Sequence, residues 1–501
     1  MFRRALIVAF IVSAAGCSDS KNSDSGQQEK DASSKPADAA TATDSGKTPT
    51  SGTGGRTGAG NAGSAAANGG SGGKPDSGVI TMDSGSPKPA DAGAANDDDA
   101  SQDPGPAPKT CFGTTKLDAY VSDPKLCVYA FATGLPSARG MAFAPNGDLF
   151  LSAAKIVVLW DADKNGASDA NERSTFAQGT GLNHGIVFSP DAKFVYASSP
   201  TTVYRWTYTS GQRQAQGDAQ VVVSGIPDGG HSTRTLQFDS QGRLIVSIGS
   251  ASNVDTTQAE WDTRAQIRRF TIPATLPNGG LAYTAGEVIA SGMRNECGIF
   301  VDADDRLWGV ENGRDNLSDN DLGGDIHNDN PGEEINLVDG QGSKFYGYPR
   351  CFSEFKVNTG GMGAATQWAD QSLPQEMQAT DAFCQDPNQV HPPAWVMPAH
   401  WAPLGVIRYT GRALPMNGDL LIGAHGSWNR EPATGRVLAR ARLQGTTITA
   451  LDIIVGEKDN SGQVKQGTWE VRPVDLRQGP DEAVYFSDDQ GGRVFKLGYE
   501  Q

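Results

Sequence analysis

Met141-Ala142-Phe143-Ala144-Pro145-Asn146-Gly147-Asp148-Leu149-Phe150-Leu151 places two short, alternating apolar runs on either side of an Asn-Gly turn. Period-two alternation turns one face of each run towards a core, and Asn-Gly supplies the positive-φ residues that a tight hairpin requires. The pattern returns over residues 186–196 with Asp191 at the turn. It then recurs around Gln241-Gly242, Asp304-Asp305, Asn417-Gly418 and Gly479-Pro480-Asp481. These six hairpins are spaced about 45 to 65 residues apart, with one gap of about 110 between the fourth and fifth. Repeats of that period built from strands alone predict an all-β fold, a six-bladed β-propeller of four-stranded blades. A stacked β-sandwich is the alternative. The long gap contains a Pro- and Gly-rich insertion, roughly residues 350–392, expected to leave the blades as a loop over one face.

Composition divides the rest of the chain. Arg3-Arg4, the apolar run 5–15 and Gly16-Cys17 form a charged region, an apolar region and a small-residue cleavage site. Ending as Ala14-Ala15-Gly16-Cys17, residues 1–17 look like a bacterial lipoprotein signal peptide with Cys17 as the lipidated residue; an ordinary signal peptide is the alternative. The apolar run is too short to span a bilayer. Residues 18–108 contain no Phe, Trp or Tyr, so they cannot bury enough apolar surface to offset ordering and are expected to be a disordered linker. The propeller is left with residues 109–501. This reading anchors the protein to the membrane through an N-terminal lipid, exported to the periplasm, outer membrane or cell surface of a bacterial envelope.

The formal net charge is −16. With +2 on residues 1–17 and −6 on residues 18–108, the remainder carries −12. An acidic body of that size argues against nucleic acid as a partner and suits small neutral ligands or a basic redox partner. In an exported chain the local pairs Cys111/Cys127 and Cys351/Cys384 are the expected disulfides. Cys297 stays outside them, read as a small buried apolar side chain.

Two constellations carry chemistry. Asp161, Asp163, Asn165, Gly166, Ala167, Asp169 and Glu172 follow the calcium-loop spacing: oxygen ligands at positions one, three and five, glycine at six, a carbonyl at seven, and acids at nine and twelve. Strands rather than helices should flank it, and a solvated acidic turn is the alternative. The second lies between Gly292 and Pro349. Here Arg294-Asn295, the apolar run 299–301, Asn312-Gly313-Arg314-Asp315 and Glu333-Glu334-Ile335-Asn336 gather polar groups at strand ends. His231, after Gly229-Gly230 and before the third hairpin, stands at a similar strand entrance.

Across most of the chain after about residue 110, these segments resemble the glucose/sorbosone dehydrogenase family. Its members are soluble sugar dehydrogenases that carry pyrroloquinoline quinone on one face of a six-bladed propeller. The resemblance implies an oxidoreductase that oxidises a sugar or other polyhydroxy compound by hydride transfer to the quinone, with electrons passing on to a soluble or membrane redox acceptor. It makes His231 the general base, and Arg294, Asn295, Asn312, Gly313, Arg430 and Arg472 the cofactor-binding set. The carbonyls of Gly313 and Arg314 would hold a cofactor calcium, and His400 would contact substrate. Where the glucose enzymes carry an Asp that orients the histidine, this chain has Ser250, within a Gly249-Ser250…Asn253 segment similar to the sorbosone-type branch. Arg314 stands where the family has a proline, and Val474 where it has a second arginine near Arg472. The rival readings are a propeller of the same ancestry that only binds carbohydrate or protein, and a calcium-dependent lactone hydrolase.

Overall fold

The computed structural model describes residues 105–179, 181–338 and 342–501. The signal peptide and nearly all of the expected linker lie outside the described residues.

Within residues 115–499, six four-stranded antiparallel blades each open with one of the hairpins read from the sequence. Blade 1 runs Met141–Phe143, Leu149–Ser152, Lys155–Leu159, Arg173–Gln178, and blade 2 runs Ile186–Phe188, Phe194–Ser198, Thr202–Thr207, Gln220–Ser224. Blade 3 comprises Leu236–Phe238, Leu244–Ile248, Gln266–Phe270 and Glu287–Ser291; blade 4 comprises Glu296–Val301, Leu307–Glu311, Glu333–Val338 and Trp395–Met397. Blade 5 is Pro403–Arg408, Leu420–Ala424, Val437–Gln444 and Thr447–Lys458. Blade 6 takes Pro473–Gln478, Val484–Asp488 and Arg493–Tyr499 from the end of the chain, and its fourth strand, Leu126–Ala132, from the beginning of the domain. The first strand of each blade touches the first strand of the next, and blade 6 returns to blade 1. That closed ring of inner strands makes this a propeller and excludes the sandwich.

Local chemistry explains the hairpins. In blade 1, Gly147 adopts φ 90°, and Ala144 and Asp148 close the turn through a 2.8 Å backbone bond. Blades 3 and 4 share a further device. Asp239 accepts from the backbone of Gln241 and Arg243 and from Arg243 Nε. Asp302 does the same with Asp304 and Arg306. Each buried Asp thereby satisfies the turn's N–H groups and pins the Arg that opens the second strand. Between blades 1 and 2 the apolar faces interlock: Phe150 meets Phe188 and Tyr208 edge-on at 5.0 and 5.6 Å, as it meets Phe176 of its own blade at 5.1 Å, a favoured aromatic geometry.

The expected disulfides Cys111–Cys127 and Cys351–Cys384 are both formed, whereas Cys297, expected to stay outside any disulfide, is itself disulfide-bonded. The insertion is more ordered than a loop. Cys351–Ser353 pairs with Gln367–Ala369, and a short helix covers Asp381–Cys384. Phe352 and Trp368 pack with Leu317 and Leu322, giving the excursion a small core of its own. Composition concealed this because its apolar side chains are few and widely separated.

Candidate active site at the mouth of the propeller axis

Up-and-down strand order puts the starts of the first strands and the ends of the second strands at one end of the ring. His231, Arg294-Asn295, His400 and Arg472 precede first strands; Ser250, Asn312-Gly313 and His425 follow second strands. The structure therefore brings the sequence-predicted residues among these to one mouth, with His425 beside them.

His231 is 3% exposed. Its Nδ1 lies 2.8 Å from Ser250 Oγ, and Ser250 Oγ lies 2.6 Å from the carbonyl of Ser252. A hydroxyl has one hydrogen, and a carbonyl can only accept it. Ser250 therefore donates to Ser252 and must accept from His231, so Nδ1 carries the imidazole proton and Nε2 is left with its lone pair. Serine does here what a carboxylate would do, without the charge. Asp255 holds the turn in place by accepting from the Ala251 and Ser252 N–H groups at 2.9 and 3.0 Å. Burial, followed by the positive charge of Arg294, holds the imidazolium form of His231 well below the usual histidine range. A Cβ at Gly249 would overlap both His231 and Asn295, so glycine there lets the two side chains approach.

Arg294, 3% exposed, is fully engaged by the protein. Nε and Nη2 donate to the carbonyl and side-chain oxygens of Asn253, each at 3.0 Å, and Nη1 donates to the carbonyls of Asn312 and Gly313 at 3.1 and 2.6 Å. Asp315 lies 3.6 Å from Nη2. As placed, this arginine organises the Asn312–Asp315 loop. The Gly313 N–H donates to Glu333 Oε2 at 2.6 Å, and Glu333 Oε1 accepts from Ala402 N at 3.0 Å. Burial raises the Glu333 carboxyl to about 7. Arg314 turns away to Asp370 and Ser372 of the insertion. Asn312 donates to the Pro403 carbonyl while its Oδ1 is buried without a partner, and Asn295 accepts from Asn312 N through its carbonyl. His400 donates Nε2–H to the His327 carbonyl at 2.6 Å. Beside it, Arg430 binds the Asn328 carbonyl and Asp329, both at 2.7 Å. Arg472 donates to the carbonyls of His425 and Gly426. Trp428 is 56% exposed, in position to form a wall rather than a core contact.

The Asp161 loop lies elsewhere. It joins the third and fourth strands of blade 1, at the far end of the ring from His231. Asp161 accepts from Asn165 and Gly166 N–H, Asp163 from Asn165, and Glu172 from Ala162 and Asp169. Asn165 Oδ1 accepts from Ala167 N, and Asp169 is exposed. Oxygens of Asp161, Asp163 and Glu172 lie within 4.8 Å of one another, within reach of a single ion. Burial raises the Asp161 carboxyl, and the nearby Asp163 and Glu172 add to the rise. A hard cation would relieve that crowding.

Two features of the mouth were not anticipated. Arg139, His184 and Asp489 join it from blades 1, 2 and 6; the available signal was that Arg139 and His184 each stand two residues before the first apolar position of their hairpins. The second feature is a row of buried acids. Glu296, Glu311 and Glu334 are direct cross-strand partners on three neighbouring strands of blade 4. Their Oε2 atoms lie 3.3, 3.4 and 3.2 Å from Asn336 Nδ2. Burial raises the carboxyls of all three, and the charges of their neighbours add to the rise at Glu296 and Glu311.

Residues 121–500 match the model of the TrAA12-like family. A propeller with a histidine and several arginines at its mouth defines the class; the chain belongs to the TrAA12-like family. It is 28% identical over 390 residues to the pyrroloquinoline quinone-dependent pyranose dehydrogenase of Coprinopsis cinerea, an alignment covering 72% of this chain and 52% of that protein. To the pyrroloquinoline quinone-dependent sugar dehydrogenase of Hypocrea jecorina it is 32% identical over 296 residues, 55% of this chain and 67% of that protein. The calcium structure of the Trichoderma reesei family AA12 protein superposes with a TM-score of 0.67 at 28% identity, covering 77% of this chain and 98% of that one. The chain spans about half the length of the Coprinopsis relative. These relatives bear out the resemblance to quinone-dependent sugar dehydrogenases read from the sequence.

The acid row has a measurable consequence. Each of its folded-state pKa values is raised, so its contribution to stability is full below the unfolded carboxyl value and is lost as pH rises through the folded value. Glu296→Gln removes one carboxyl whose ionisation burial opposes. Its melting temperature should match wild type near pH 5 and exceed it by about 1–3 °C near pH 8. A gap independent of pH, measured by calorimetry, would contradict this assignment.

Proposed function

We propose that this chain is an exported oxidoreductase that oxidises a sugar or related polyhydroxy compound, with pyrroloquinoline quinone as its acceptor. The observation that carries the reading is the protonation state of His231, whose Nδ1–H is held by Ser250 and whose Nε2 lone pair is available as a general base. The family relatives support the reaction class. The donor set also fits a planar polycarboxylate: arginines from several blades meet at one mouth, and buried donors of Arg139 there have no protein partner.

Bound at the mouth, the quinone would supply the hydride acceptor. His231 Nε2 takes the hydroxyl proton from the same carbon, becoming imidazolium. Arg294 holds the Asn312–Asp315 loop in place, and that loop, with the positive charge of Arg430 and Arg472 from blades 5 and 6, would hold the cofactor. Burial excludes water from the base. His231→Ala should bind the quinone near normally yet lose about 10²–10⁴-fold in rate, measured by absorbance titration and dye-linked oxidation. Unchanged turnover in the loaded variant would remove His231 from the mechanism. Because the imidazolium is disfavoured, the acid limb of kcat/KM should fall below the ordinary histidine pKa. Ser250→Asp, by placing a negative charge beside Nδ1, should move that limb to higher pH.

The Asp161 loop is proposed to hold calcium as a brace for blade 1, a role supported by its three convergent carboxylates and its distance from the mouth. Calcium should raise the melting temperature of quinone-free protein, and Asp163→Ala with Glu172→Ala should diminish the rise. An equal rise in both proteins would leave the loop as an acidic turn.

Export and lipid attachment at Cys17 complete the proposal, and the two disulfides support an oxidising compartment. Cys17→Ser should shift the protein out of the membrane fraction; continued membrane retention of a processed variant would refute the anchor.

A further inference from the structure

The first strands of the six blades can be aligned by their apolar starts: Met141, Ile186, Leu236, Ile299, Val406 and Leu476. Two residues earlier stand Arg139, His184, Arg234, Cys297, Leu404 and Val474, one per blade. The last three pack together as a buried apolar cluster. Arg234 donates to the carbonyls of Pro200, Pro227, His231 and Thr233. Blades 1 and 2 differ from both. Arg139 is 5% and His184 2% exposed, yet Arg139 Nε, Arg139 Nη2 and His184 Nδ1 are buried with no partner.

The pattern of orphaned atoms has a shape. In a guanidinium, Nε–H and one Nη2–H point the same way and form a fork that fits a carboxylate. This chain uses the same fork elsewhere, where Arg213 grips Asp148 through Nε at 2.7 Å and Nη2 at 2.9 Å. In Arg139 that fork has no protein partner while the opposite edge is fixed: Nη1 pairs with Asp489, whose other oxygen accepts from His425 Nε2 at 2.9 Å. Neighbouring Arg472 and Arg477 direct their Nε groups to the carbonyls of His425 and Met141. Glycine at 140 keeps the strand entrances adjacent, since a Cβ there would overlap the His184 carbonyl. Burial and the charge of Arg139 keep His184 neutral, so its Nδ1 can donate as an uncharged imidazole. A buried cation with two unmet donors is costly unless a ligand meets them.

We propose that the Nε/Nη2 fork of Arg139, with His184 Nδ1 beside it, is a carboxylate-binding subsite at the mouth of the axis. It rests on the quinone-dependent reading above for one of its two possible sources, a carboxylate of the quinone; the other is the carboxylate of a uronic-acid substrate. Val474 leaves blade 6 without a cation at this level, and Arg139 supplies one from the adjoining blade.

Arg139→Lys is the sharper variant because it keeps a positive charge opposite Asp489 while removing the fork; Arg139→Met and His184→Gln accompany it, with circular dichroism to confirm folding. Two titrations are made on the full chain. One follows pyrroloquinoline quinone by absorbance, and the other follows the melting temperature with glucuronate, against glucose, in the absence of quinone. A rise of at least tenfold in quinone Kd in Arg139→Lys, with no glucuronate effect on wild type, assigns the subsite to the quinone. A glucuronate-specific rise in wild-type melting temperature that disappears in the variants assigns it to the substrate. If all variants match wild type in both titrations, the fork holds only water and the proposal is overturned. Should wild type fail to bind quinone, the functional reading fails, and the glucuronate titration alone decides the subsite: a rise lost in the variants upholds it, and no rise overturns it.

Discussion

Everything at the mouth depends on the seam where the ring closes. Leu126–Ala132 completes blade 6 by pairing with Arg493–Tyr499, and polar contacts then bind blade 6 to blade 1. Asp475 accepts from Met141 N at 2.7 Å, Arg477 donates to the Met141 carbonyl at 2.7 Å, and Ser487 donates to the Arg139 carbonyl at 2.6 Å. These buried bonds are short and partly charge-assisted, so they fix the spacing of the strand entrances more tightly than apolar contact would. The fixed spacing in turn orients Arg139 and positions its neighbours around the axis.

Much of the fold was legible because its signals are local. An Asn-Gly or buried-Asp turn between two alternating runs specifies a hairpin whatever surrounds it, so all six inner hairpins could be read directly. Outer strands such as Trp395–Met397 carry no comparable turn chemistry, and the strand that closes the ring is separated from its partner by most of the domain. The ordered insertion was hidden for a similar reason: its small core uses Leu317 and Leu322 from another segment.

The candidate site was half legible. Residue types at strand ends, with the family resemblance, located His231, Arg294 and Asn312 in one region. Their states depend on partners that spacing cannot reveal. The donor direction of Ser250 follows from where the Ser252 carbonyl points, and Arg294 is engaged because Asn253 folds over it. The acids of blade 4 are far apart in sequence and become a row only when register sets Glu296 opposite Glu311 and Glu311 opposite Glu334. Like charges directly across a sheet oppose pairing, and burial of the row favours the protonated carboxyls.

The manner of closure also sets an order of events in the chain's manufacture. Leu126–Ala132 emerges from the ribosome among the first strands of the domain, but its partner Arg493–Tyr499 is among the last. Until Arg493–Tyr499 has been made, Leu126–Ala132 has an open edge where that partner will pair, the condition that invites pairing with a neighbouring chain. A long-range pairing of this kind is also slow to form. A strand made early in the domain is therefore among the last to be paired, and the ring closes only once Arg493–Tyr499 has been delivered.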